Sequence, residues 1–70
     1  MPEKTYFLRF AHRDCSEIEE QEYTHESYGF EVFHLFAEPN SAEMYTRIEL
    51  TEYTWKTRTA KVLAALEFAA

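Results

Sequence analysis

Polar and apolar positions alternate most cleanly between Ala42 and Tyr53. Ala42, Met44, Thr46, Ile48 and Leu50 fall on one side, and Glu43, Tyr45, Arg47, Glu49 and Thr51 on the other. This period of two is that of a half-buried strand. "KTYFLRFA" (Lys4–Ala11) is short, unbroken and aromatic, which predicts another strand. Both of its faces, Tyr6/Leu8/Phe10 and Phe7/Arg9/Ala11, carry large apolar groups, so at least partial cover on both sides is expected. "YGFEVFHLFA" (Tyr28–Ala37) predicts a third strand, joined to the segment 42–53 by "EPNS". Pro39 and Asn40 suit the centre of a tight connection, so the two segments are expected to form a hairpin.

The tail "TWKTRTAKVLAALEFAA" has no breaker and is rich in Ala and Leu, which predicts a helix. Trp55, Val62, Leu66 and Ala69 would lie along one stripe with Leu63 beside it, and Phe68 would project away from it. The acidic run "DCSEIEEQEYTHE" (Asp14–Glu26) carries a weaker signal. Ser16 and Glu19 have the form of a capping box, and Glu17, Glu19 and Glu20 suit a first helical turn. Ile18, however, shares its helical face with Gln21, Glu22 and His25, so the apolar stripe is missing. A short exposed helix is expected there, with an ordered acidic loop as the alternative. The order strand, weak helix, strand, strand, helix describes a single α+β domain over residues 1–70. Its sheet would be three-stranded and mostly antiparallel, with the C-terminal helix packed on one face.

The expected hairpin register divides that sheet unequally. One face would pair Ala37 with Ala42, Leu35 with Met44, Phe33 with Thr46 and Glu31 with Ile48, and would receive the helix. The other would interleave Tyr28, Phe30, Val32 and Phe36 with Tyr45, Arg47, Glu43 and Glu49. Burying a Phe or Val stabilises by roughly 1.5–3 kcal/mol, so a small domain forgoes much of its stability by leaving that face in water. Tyr28, Phe30, Val32, Phe36, Tyr45 and Arg47 are therefore a candidate partner or dimer surface, since aromatics and Arg are enriched in interface hot spots. The alternative is that the acidic segment and first strand fold over it.

Composition supports a folded chain. Of the 70 residues 46% are apolar, twelve are aromatic, and only one Gly and two Pro are present, whereas disordered acidic segments lack aromatics. The lone Cys15 excludes an internal disulfide and suggests a reducing compartment. Neither "MPEKTYFLRF" nor any later run is apolar enough for a signal core or membrane span, so a cytoplasmic protein is expected.

The net charge of -6 is unevenly spread: +2 over residues 1–13, -9 over 14–46 and +1 over 47–70. An acidic middle repels a phosphate backbone and favours basic partners.

Candidate chemistry is sparse. His12, Cys15, His25 and His34 contain one H-x2-C spacing but no second ligand pair, so no metal is expected. Cys15 beside His12 and Asp14 resembles a nucleophile with its base only in sequence, and catalytic partners are usually assembled by the fold. A calcium loop would need alternating oxygen ligands and a turn glycine, which are missing. Base stacking on Tyr28, Phe30 and Tyr45 beside Arg47 is conceivable, but the acidic middle disfavours direct nucleic-acid binding.

The expected function is accordingly non-enzymatic and cofactor-free. A small acidic protein-binding module, an inhibitor or regulator, would set Glu17, Glu19, Glu20, Glu22, Tyr23 and Glu26 against a basic partner surface. The partner class includes nucleic-acid-binding proteins, with the carboxylates acting as a nucleic-acid mimic of the kind phages and mobile elements use. Such a module would also be able to dimerise through the aromatic face or Phe68. The alternative is a structural or assembly protein that homodimerises or binds a partner through its aromatic sheet face, the acid serving only solubility.

Overall fold

The computed structural model describes residues 3–68. Its elements are β1 (Lys4–His12), β2 (Ile18–Tyr23), α1 (Glu26–Phe36), a 3-10 turn (Pro39–Glu43), β3 (Tyr45–Thr54) and β4 (Thr59–Glu67). The strands form one antiparallel sheet in the order β2-β1-β3-β4. The α+β class expected from sequence holds. The sheet has four strands rather than three, and its one α-helix lies in the middle of the chain rather than at the end.

The two central strands were legible. β1 occupies the expected aromatic segment, and β3 opposes Leu8 with Leu50 and Phe10 with Ile48. Tyr6, Leu8, Phe10, Ile48 and Leu50 are buried on the face that receives α1, together with Tyr45 and Phe33. Tyr45 departs from the expected polar side because a register irregularity at Ala11/His12 displaces the start of β3. Its ring lies against Phe10 and Phe36, with centroids 5.1 and 6.1 Å away.

Three expectations are corrected. Residues 28–36 belong to helix α1, so the hairpin with 42–53 does not form, and the Pro39–Ser41 part of "EPNS" lies in the 3-10 turn that delivers the chain to β3. Gly29, Phe33, Phe36 and Ala37 recur at helical spacing, and Gly29 and Phe33 are the buried positions of α1. Gly29 permits close approach to the sheet: a Cβ there would sit 2.9 Å from Leu50 Cδ1. Residues Thr59–Glu67 of the tail are strand β4, paired with β3 and carrying a bulge at Leu50/Thr51, while Ala69 of the expected stripe lies outside the described residues. Pairing with a central strand overrides its Ala-rich helical propensity.

The acidic run is likewise not helical. Its Ile18–Tyr23 part is β2, an edge strand on β1, its last residue Glu26 begins α1, and Ser16 and Glu19 form no cap because Glu19 pairs with Phe10 in the ladder. Charged side chains along a short edge strand discourage pairing with other chains.

An 11-residue helix is about 16 Å long, too short to cover both faces of a four-stranded sheet. It lies against β3, β1 and β2. The opposite face has no element packed on it among the described residues.

Candidate functional site

The ladder registers define the open face. β2 contributes Ile18, Glu20 and Glu22; β1 contributes Thr5, Phe7, Arg9 and Ala11. β3 adds Arg47, Glu49, Thr51 and Tyr53, and β4 adds Ala60, Val62, Ala65 and Glu67. Four carboxylates therefore stand against two guanidinium groups, leaving the face net acidic.

Both arginines are engaged. Arg9 Nε donates to Glu20 Oε2 at 2.7 Å. Arg47 donates to Glu49 Oε2 at 2.9 Å and to Glu67 Oε1 at 2.7 Å. The Arg47 hydrogen bond chiefly holds the Glu49 carboxyl below its ordinary value, helped by the Thr51 hydroxyl and the nearby charges of Arg47 and Arg9, while partial burial opposes the shift. Glu22 makes no ion pair among the described residues. It is exposed and directly opposite Phe7 in the register.

Aromatic rings occupy the other end of this face. Phe7 and Tyr53 meet edge-to-face with centroids 6.4 Å apart, and Tyr53 meets Trp55 likewise at 4.6 Å. Trp55 follows β3 in the turn before β4 and is 48% exposed. It is nevertheless fixed: its indole Nε1 donates to Thr5 Oγ1 at 2.6 Å, and its backbone N–H to the Glu3 carbonyl at 3.2 Å. An open hollow of about 290 Å³ lies among Phe7, Tyr53, Trp55 and Ala60, with Arg9 and Glu20 on one side. A second hollow of about 150 Å³ is bounded by Arg9, Ala11, Ile18, Arg47 and Glu49. Drug-sized ligand pockets begin near 300 Å³, so the second hollow is small by that measure and the first is close to it.

The residues expected at a site are distributed differently. Of the acidic set, Glu20 and Glu22 reach the open face. Glu19 and Tyr23 point to the helix side of β2, Glu17 precedes the strand, and Glu26 begins α1. The expected aromatic sheet face does not exist as one surface. Tyr28, Phe30, Val32 and Phe36 belong to α1, Tyr45 is buried and Arg47 lies on the open face. Phe30, Val32 and Phe36 pack against the core, as does Phe68. Phe68 also donates its N–H to the Thr46 carbonyl at 2.9 Å. The aromatic hollow is not legible in the sequence because the expected C-terminal helix removes Trp55 from the sheet, although the alternation of β1 does set Phe7 on the face opposite Leu8.

The candidate metal ligands are scattered. His12 packs on Tyr45 near Glu19, His25 on Tyr28, and His34 on Phe30 and Phe33, while Cys15 is exposed in the β1–β2 connection. Among the described residues no three His, Cys, Asp or Glu side chains group closely enough to hold a metal ion, and no helix is long and apolar enough to cross a membrane. No protein-family model, curated protein or solved structure matches this chain.

Proposed function

We propose that this chain is a small non-enzymatic protein-binding module that engages a basic surface of a partner through its open sheet face. The observation that carries this reading is the union, on one uncovered face, of an aromatic cluster with an excess of carboxylates. Rings supply contact area at low entropic cost, and the net acidity steers cationic partners and disfavours phosphate. Glu20 and Glu22 are the working part of the acidic run, whereas Glu19 faces the helix side. Basic grooves that take nucleic acid belong to the same partner class.

The test is binding of a lysine- and arginine-rich peptide by titration calorimetry. The double variant Glu20→Lys/Glu22→Lys should lose binding, and Glu22→Lys alone, which breaks no ion pair, should weaken it. Glu19→Lys should stay close to wild type. Equal effects at positions 19 and 22 would reduce the acid to a general charge and remove the face from the account. Far-UV circular dichroism checks that each variant is folded.

A further inference from the structure

The hollow between Phe7, Tyr53 and Trp55 contains more specific chemistry than a docking face requires. Tyr53 is nearly perpendicular to both neighbours, with interplanar angles of 77° to Phe7 and 72° to Trp55. Rings set at right angles around an open hollow offer π faces from more than one direction. Such faces are electron-rich and attract cations. Trp55 is half exposed yet tied down by its indole hydrogen bond to Thr5, a residue only 2% exposed. Its ring is thus oriented before anything binds, which lowers the ordering cost of association.

The carboxylates on this part of the face complete the arrangement. Glu20 is committed to Arg9. Glu22, across from Phe7, makes no ion pair among the described residues. Lys56 and Arg58 follow Trp55 in the exposed turn, so an incoming cation is favoured from the β2 side and opposed from the hairpin tip.

We propose that the Phe7–Tyr53–Trp55 hollow, with Glu20 on its lining and Glu22 opposite Phe7 on the neighbouring strand, is a recognition pocket for one lysine or arginine side chain of the partner. The aliphatic stem of that side chain lies along Phe7 and Ala60, its cationic head meets the rings of Tyr53 and Trp55, and the Glu22 carboxylate attracts it from one strand away. The pocket rests on the docking reading above and names the anchor within it. A nucleobase could also stack on these rings. Its phosphates are disfavoured by the surplus of carboxylate on the face, and Arg9, the guanidinium that lines the hollow, is already paired with Glu20.

Trp55 is the only tryptophan, so its fluorescence reports directly on the pocket. Titration with N-acetyl-lysinamide and N-acetyl-argininamide should change the emission saturably. Uncharged N-acetyl-norleucinamide, which keeps the stem and lacks the charge, should bind about tenfold more weakly or not at all. Glu22→Gln should weaken the cationic probes several-fold, and Tyr53→Leu, which keeps apolar bulk and removes the π face, should weaken them further. Equal response to the norleucine probe, or saturation by a single-stranded oligonucleotide in preference to the cations, would overturn the proposal.

The same variants separate the two levels of the model of binding. If Glu22→Lys abolishes capture of the basic peptide while Tyr53→Leu, shown to be folded, leaves it intact, the pocket falls and the docking face stands. If neither variant affects the peptide, both fall.

Discussion

Gly29 shows how a single position balances opposing energies. Glycine in a helix interior costs roughly 1 kcal/mol relative to alanine, so Gly29→Ala would stabilise α1 in isolation. In the folded chain the added methyl would meet Leu50 Cδ1 at 2.9 Å, and Leu50 is fully buried. Overpacking a core costs typically about 1–3 kcal/mol. The steric term should win, and Gly29→Ala is expected to lower stability by about 1 kcal/mol in urea denaturation. A gain in stability would mean that Leu50 repacks freely. Glu49 provides a second residue-scale expectation, in pH rather than space. Its folded carboxyl is held below the ordinary 4.5 by Arg47, so the ionised form is favoured by folding. Its stabilising contribution is present above that value and is lost as the pH falls through the folded value. The stability gap between wild type and Glu49→Gln should therefore be present at neutral pH and close on acidification. A gap that stays constant to pH 3 would show that the Arg47 contact does not act through charge.

At the scale of elements, legibility followed burial. β1 and β3 are central strands whose buried positions alternate, so the sequence pattern and the packed structure agree. α1 was mistaken for a strand because Phe, Val and Tyr favour extended structure locally, while the helical spacing of Gly29, Phe33 and Phe36 was outweighed. β4 was mistaken for a helix because an edge strand buries little and keeps a weak pattern; Val62 remains 52% exposed. Of the proposed site, the acidity of Glu20 and Glu22 is legible from charge alone. Their separation from Glu19 depends on strand parity, which a helical reading scrambles. The β3–β4 hairpin carries its own strain signal. Arg58 adopts a positive φ of 55°, a region that costs a non-glycine residue roughly 1–2 kcal/mol. Glycine would relieve this strain but adds unfolded-state entropy worth roughly 0.5–1 kcal/mol. Arg58→Gly should therefore raise stability by up to about 1 kcal/mol in thermal or urea melts, and a loss would place an unrecognised contact on the Arg58 side chain.

At the scale of the whole molecule, charge is sorted by position in the sheet. Residues 14–46, which carry -9, form β2, α1, the turn after it and the first two residues of β3, and residues 47–70, which carry +1, include the rest of β3 and β4. Self-repulsion among the acidic elements opposes folding, while cross-strand ion pairs such as Lys4–Glu52 at 3.3 Å and Arg9–Glu20 at 2.7 Å support it. Salt acts on the two unequally. The pairs are much shorter than the Debye length of roughly 8–10 Å near physiological ionic strength, whereas repulsions between neighbouring elements reach that distance and are screened more fully. Exposed pairs are also individually worth only about 0–1 kcal/mol. Screening should therefore relieve more repulsion than attraction, and added sodium chloride should stabilise the free protein. The same screening weakens long-range attraction to a basic partner and slows its capture. Raising salt from 50 to 300 mM should thus raise the melting temperature of the free chain while weakening its binding to a basic peptide, roughly in keeping with this screening length. Binding that strengthens or stays constant with salt would place recognition in apolar contact alone and remove the acidic β2 strand from it.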